Sequence, residues 1–282
     1  MNTHSAPVLA TSSVTSGPSA MQARSRPVAV VTGGLQGLGR GITVQLARDG
    51  FDVAVLDLAD AASVPLESLA VPEAPEARIH YQRLDIADLA AHEAALAAVQ
   101  ATLGPLSCLV NNAGIAARPL TDLLALSPQA FDRSVDINLR GTFFLSQAFA
   151  RHLISHPAAA GSYRSLVFIT SIAAEMASPD RAQYCTTKAA LSMVSRLFAL
   201  RLAAEQIHVH EVRPGFMRTA MTASAGTEVI DRWMEEGRVP QRRWGTPEDV
   251  GLAVSTLAQG RLPYMTGQPL WVAGGLNIAQ AT

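Results

Sequence analysis

With 282 residues the chain is long enough to bury a large core, and its 22 Lys and Arg against 23 Asp and Glu leave a formal net charge of -1. That balance offers no basic field to nucleic acid or to an anionic membrane, and no apolar run approaches the roughly 18 residues of a membrane span, so soluble small-molecule partners are expected. The 2 cysteines, Cys108 and Cys185, stand in no CxxC or Cys/His metal spacing, which predicts no disulfide framework, no metal site and a reducing, cytoplasmic setting.

Residues 1–26 are rich in Ser, Thr, Ala and Pro and carry no acidic residue, which predicts a disordered extension. A transit peptide is the competing reading, disfavoured by sparse arginine and absent amphipathic periodicity. Residues 27–282 then form one domain. Short β-branched runs alternate there with longer Ala/Leu-rich segments, and seven strands are read at PVAVVTG, DVAVLDL, ARIHYQRLDI, SCLVNNAG, SLVFITS, HVHEVRPG and QPLWVAGG. Their near-continuous apolar character implies burial on both faces. The fold class is therefore α/β, a single Rossmann-type doubly wound domain with a seven-stranded parallel sheet flanked by helices. Helices are expected after Gly37, Asp88, Ser127, Ser178 and Thr246, the last three each followed by proline at the first helical position. Between Ala59 and Ala77, Pro65, Pro72 and Pro75 interrupt any helix, so that crossover should be short or irregular.

After the first strand comes TGGLQGLG, with Gly33, Gly37 and Gly39 around Gln36 and Leu38. Such a turn brings main-chain N–H groups at a helix start close to a pyrophosphate, although any tight strand-to-helix turn also needs glycine. Asp57 closes the second strand about twenty residues on, where a carboxylate accepts hydrogen bonds from a ribose diol and repels a 2'-phosphate. This favours NAD(H) over NADP(H). Gln36 adds no compensating positive charge, whereas Arg40 could reach a phosphate.

Ser171 stands thirteen positions before Tyr184, and Lys188 follows four residues later in YCTTK. On a helix Tyr184 and Lys188 share a face, so the ammonium can favour proton release from the phenol. By itself the pair equally describes a buried tyrosine and a solvated lysine.

In this order and spacing the motifs resemble the short-chain dehydrogenase/reductase family over nearly all of residues 27–278, in the branch of 3-oxoacyl-carrier-protein reductases and sugar or polyol dehydrogenases. The resemblance implies an NAD(H)-dependent enzyme interconverting a ketone and a secondary alcohol. It implies Tyr184 as general acid/base, Ser171 on the substrate oxygen, Lys188 beside the tyrosine and the nicotinamide ribose, and Asn138 holding a water that links Lys188 to solvent. It places Asp85 and Ile86 at adenine and Asn112, Ala113 and Gly114 along the cofactor. Pro214, Gly215 and Met217 follow at the nicotinamide end, where Thr219 holds the amide. Ala273 departs from the family's acidic residue before the final glycine pair. Homotetramer or homodimer assembly through helices near 127–156 and 179–206 is implied as well. Two alternatives stand beside this reading: a non-catalytic nucleotide-sensing protein, against which all four catalytic positions are filled, and a scaffold.

Substrate choice is expected from a loop at about 216–246. Its Phe216, Met217, Met221, Trp233 and Met234 read as an apolar lid or as an ordinary amphipathic core. Arg238, Arg242 and Arg243 read as a solvated face rather than a landing site for an acidic carrier protein or a carboxylate. His208 and His210 read as surface residues rather than a metal pair, and Cys185 as a helix-packing residue.

Overall fold

The computed structural model describes residues 26–65, 69–157, 159, 161–219, 222 and 227–279. Apart from Arg26, the expected extension lies outside the described residues, as does Met221. Arg26 itself is tied to the domain: Nε pairs with Asp52 at 3.3 Å and a terminal nitrogen donates to the Ala47 carbonyl at 2.7 Å.

The seven expected strands form one parallel sheet. They are β1 (Val28–Thr32), β2 (Asp52–Asp57), β3 (Ile79–Arg83), β4 (Leu106–Asn111), β5 (Arg164–Ile169), β6 (Ile207–Pro214) and β7 (Pro269–Val272), in the order β3-β2-β1-β4-β5-β6-β7. The chain lays down β1 to β3 in one direction and returns to the other side of β1 for β4. The direction of winding therefore reverses between β1 and β4, opening a crevice at the carboxyl ends of those strands.

The helices are α1 (Gly37–Arg48), α2 (His92–Leu103), α3 (Pro128–Ser134), α4 (Thr142–Ser155), α5 (Ala182–Leu202), α6 (Glu228–Glu235) and α7 (Pro247–Ala258). The start signals act as their chemistry suggests. Ser127 Oγ accepts the Ala130 N–H, and Thr246 with Asp249 makes a reciprocal capping box. Ser178 instead hydrogen-bonds Asp180, so a tight turn over Pro179–Arg181 precedes α5. Between β2 and β3 the proline-interrupted crossover contains a short helical turn, Ala61–Ser63.

One face of the sheet is covered by α2, α4 and α5 through Leu96, Leu145, Phe149 and Leu202; α1 and α7 cover the other through Ile42, Leu46, Val250 and Val254. Burial on both faces holds for the five inner strands. It fails at the edges, where β3 and β7 are mostly half-buried because an edge strand lacks a neighbour on one side. The surface reading of His208 and His210 is corrected as well. β6 is an inner strand, so the flank their rings share is covered: His210 is fully buried, His208 half-buried, and Tyr163 stacks on His208 with ring centroids 4.5 Å apart. The Tyr163 hydroxyl and His210 Nε2 hydrogen-bond at 2.8 Å.

Candidate active site

The crevice begins with the glycine turn. Gly37 takes the left-handed conformation at φ 52°, open to glycine without strain. A Cβ on Gly39 would lie 1.9 Å from the Gly33 carbonyl oxygen and 2.6 Å from Asn112 Nδ2, so no side chain fits. Asn112 Nδ2 donates to the carbonyls of Thr32 and Gly33 at 3.0 and 3.1 Å, while Thr32 Oγ1 accepts the N–H groups of Asn112 and Ala113. The NNAG segment after β4 is thereby stitched to the turn after β1. Gln36 makes no side-chain cap on α1, and no acidic residue occupies its first turn. A positive helix end thus faces the crevice with no acidic residue of its own first turn to neutralise it.

Asp57 closes β2 beside this turn. Its carboxylate accepts the Leu35 N–H at 3.2 Å and the Leu58 N–H at 2.8 Å, which fixes its orientation and leaves acceptor capacity for a diol. Arg40 points elsewhere, donating to the Ala70 carbonyl at 2.6 Å. Asp85 is exposed at the far end, its Oδ1 accepting the Ala87 N–H. Ile86 presents little surface: its side chain is buried and its carbonyl takes the His92 Nε2–H at 2.9 Å. An uncapped helix end, a side-chain-free turn and an oriented carboxylate in one crevice fit a dinucleotide.

At the other end stand the residues read as catalytic. α3 does not run directly into α4: the stretch Val135–Gly141 is a π-helix, and Asn138 sits in this widened turn. Asn138 Oδ1 accepts the Ile115 N–H at 2.8 Å, and Nδ2 donates to the Ile115 carbonyl at 2.9 Å and to Thr187 Oγ1 at 3.3 Å. Both amide donors are occupied, so a water could meet the side chain only as a donor to Oδ1. Lys188, 5% exposed, donates from Nζ to the Ile169 carbonyl at 2.9 Å and lies 5.6 Å from the centre of the Tyr184 ring. A Cβ on Gly114 would be 3.0 Å from Asn138 Oδ1 and 4.0 Å from Lys188 Nζ, so the NNAG segment also reaches this group. Ser171 stands two residues beyond Ile169, its Oγ accepting the Ala173 N–H at 3.1 Å, and the turn it begins packs on α5.

The wall after β6 completes the crevice. Thr219 faces the glycine turn, its methyl 3.7 Å from where a Gly37 Cβ would be, and its N–H donates to Thr222 Oγ1 at 2.9 Å. The Gly215 N–H donates to the Val272 carbonyl at 2.9 Å. Ala273 packs so closely on Gly215 that a Cβ there would come within 2.8 Å of its Cα. Met217 is buried in the main core, whereas Met234 forms a separate small core with Val239 and Trp244, against which Phe216 packs. Trp233 lies beside Phe216, ring centroids 5.7 Å apart. Arg243 makes a two-pronged pair with Asp249 and Arg238 pairs with Glu236, as expected of a solvated charged face.

The sequence reading passed over Arg181. Its guanidinium carbon lies 5.0 Å from the centre of the Tyr184 ring, and its position three residues before the tyrosine was the available signal.

Comparison with known proteins follows the same outline. Residues 33–277 match the family model described as Enoyl-(Acyl carrier protein) reductase. L-2,3-butanediol dehydrogenase of Corynebacterium glutamicum is 33% identical over 258 residues, covering 88% of this chain and 98% of that protein. The crystal structure of a 3-oxoacyl-[acyl-carrier protein] reductase from Brucella melitensis in complex with NAD aligns at 41% identity and a TM-score of 0.85, over 92% of this chain and 100% of that one. A proposed 2-deoxy-D-gluconate 3-dehydrogenase from Agrobacterium tumefaciens with bound NADP aligns at 30% identity and a TM-score of 0.76, over 89% and 96% of the two chains.

Proposed function

From the premise that the chain belongs to the short-chain dehydrogenase/reductase family, in its 3-oxoacyl-[acyl-carrier-protein] reductase-like branch, we propose that Tyr184 is the general acid/base of an enzyme that prefers NAD(H). The protein is an oxidoreductase that interconverts a ketone and a secondary alcohol with a nicotinamide cofactor. The observation carrying the residue assignment is the Lys188 ammonium, buried, held by the Ile169 carbonyl and 5.6 Å from the Tyr184 ring.

The bound nicotinamide supplies or takes the hydride. In reduction Tyr184 gives its hydroxyl proton to the carbonyl oxygen as negative charge develops there; in oxidation it takes that proton back. Ser171 Oγ already accepts the Ala173 N–H, so its own O–H remains to donate to the same oxygen. Lys188 stabilises negative charge on the phenol oxygen as the proton leaves. Asn138 positions rather than reacts: it ties Ile115 and, through Thr187, α5 to the π-helical turn.

In this reading Gly33, Gln36, Gly37, Leu38 and Gly39 cradle the pyrophosphate, Asp57 holds the adenosine ribose, and Asp85 and Ile86 border adenine. Asn112, Ala113 and Gly114 line the middle, Tyr184 and Lys188 meet the nicotinamide ribose, and Pro214, Gly215, Met217 and Thr219 hold the nicotinamide end. The branch suggests a 3-oxoacyl thioester, a sugar or a polyol as the substrate class. Exposed Met193, Leu197 and Leu200 on α5 and Phe144 and Ile154 on α4 suit burial in a homotetramer or homodimer, and we place the enzyme in the cytoplasm.

Tyr184→Phe should keep NADH binding, read by fluorescence titration, while turnover falls by about a hundredfold or more. Undiminished turnover would remove Tyr184 from the mechanism. Nucleotide binding without turnover of any carbonyl by the unaltered protein would favour the nucleotide-sensing alternative.

A further inference from the structure

Arg181 is half-buried beside the residue proposed to deliver the proton, and among the described residues its guanidinium has neither an ion-pair partner nor a hydrogen bond. Such a guanidinium has surrendered part of its hydration for a weak contact, since a stack on a tyrosine face near a surface recovers little of what is lost. Other arginines over rings are placed differently. Arg213, over Trp271, pairs with Glu211 and Glu175; Arg218, over Trp244, pairs with Asp231; Arg238, over Trp233, pairs with Glu236. Arg140, over Phe144, is simply exposed.

The surroundings of Arg181 also favour an anion. It precedes α5, a helix of 21 residues with no acidic residue in its first turn, and its side chain makes no cap. The neighbouring Asp180 carboxylate takes the Ser178 hydroxyl, and the Asp180 carbonyl accepts the Thr121 N–H at 3.1 Å. The segment carrying Arg181 is thus braced by the segment after β4 before any substrate arrives.

We propose that Arg181 binds an ionised carboxylate of the substrate, so that the enzyme acts on a short oxo acid and its hydroxy acid, with the carboxylate one or two carbons from the reacting carbon. The assignment rests on the proposed role of Tyr184, because it is the carbonyl oxygen at that phenol that brings the acid group within reach of the guanidinium. In reduction the carbonyl carbon gains a hydride from NADH, which becomes NAD+, and the oxygen gains the Tyr184 proton. The carboxylate is unchanged and stays paired with Arg181. A planar guanidinium suits this task because it meets both carboxylate oxygens at once.

The test compares 2-oxobutanoate and 3-oxobutanoate with their methyl esters, which differ from them in charge, alongside the neutral ketone 2,3-butanedione. At least one acid should exceed its ester in kcat/KM by about tenfold or more, the scale of one charge-assisted hydrogen bond. In Arg181→Gln that ratio should collapse through the KM of the acid, and Arg181→Lys should restore part of it. Calorimetric binding of the acid to the NAD-loaded protein should weaken in parallel in the Gln variant, whose fold is checked by circular dichroism. Equal losses on acid and ester with a displaced pH profile of kcat would overturn the proposal, by placing Arg181 on Tyr184 instead. Preference for the esters, or acid binding that is absent or indifferent to residue 181, would also overturn it. Turnover of butanedione with no use of either acid rejects the acid site and keeps the proposed chemistry, whereas turnover of none of the five compounds overturns the acid site, and a screen of thioesters, sugars and polyols then decides the chemistry separately.

Discussion

Asp57 has both of its carboxylate oxygens turned by main-chain N–H groups, Leu35 on one side and Leu58 on the other. A carboxylate held this way cannot swing aside for a phosphate at the same place, and two like charges at contact distance repel strongly in a partly desolvated crevice. The unaltered protein should therefore favour NADH over NADPH in kcat/KM, and Asp57→Asn should shift that ratio toward NADPH by about tenfold or more, about 1.4 kcal/mol per tenfold change. Because Arg40 donates to the Ala70 carbonyl, the variant should still lack a strong phosphate partner. An NADPH preference in the unaltered protein would refute this role for Asp57. Its position was legible because the glycine turn and the second strand fix it by counting. Arg181 was not, since a three-residue spacing to Tyr184 is only a weak signal and does not say that the arginine meets that ring.

At the scale of elements, the strands and helix starts were readable because apolar runs and Ser/Thr-Pro pairs are local signals. The π-helical turn around Asn138 was not, because one widened turn leaves no trace in hydropathy. Another arrangement that local pattern did not announce is the buried group that ties β6 to its neighbours. Glu211 and Arg213, 0% and 1% exposed, pair at 2.6 Å. Glu211 accepts Thr170 Oγ1–H at 2.7 Å and Ser192 Oγ–H at 3.0 Å, and Arg213 reaches Ser192 Oγ and Glu175. Thr170 adjoins Ser171, and Ser192 is one turn beyond Lys188 on α5, so this network fixes the segment after β5 that carries Ser171 against the helix carrying Tyr184. Removing one partner strands a buried charge, and Glu211→Leu should cost about 3–5 kcal/mol in urea unfolding. Arg213→Met should cost a similar amount. The double variant should lose far less than the two single losses added together, because no unpaired charge remains. Strict additivity would show that the pair contributes nothing through its mutual charge.

At the scale of the whole molecule, the unexpected burial of His210 couples global stability to pH. The alternation of His208 and His210 correctly put both rings on one side of β6, but a strand pattern does not reveal whether that side is covered, and an inner strand has no uncovered side. Burial, with a smaller contribution from His208, lowers the His210 imidazole to about 4. The same ring titrates near 6.5 in an unfolded chain. As pH falls below about 6.5 the unfolded chain therefore takes up a proton that the folded protein refuses, and stability falls with it until about pH 4, where the folded ring also protonates. At about 1.4 kcal/mol per pH unit, His210 should account for roughly 2–3 kcal/mol of lost stability between pH 7 and pH 4.5. His210→Asn keeps a polar partner for the Tyr163 hydroxyl but cannot take up this proton, so its unfolding free energy should decline less over the same interval by about that amount. The comparison is between the two proteins at each pH, which cancels the groups common to both that do not interact with His210. Parallel stability curves from pH 7 to pH 4.5 would show that His210 is protonated alike in the folded and unfolded chains, contrary to its enclosure beneath Tyr163 within the sheet.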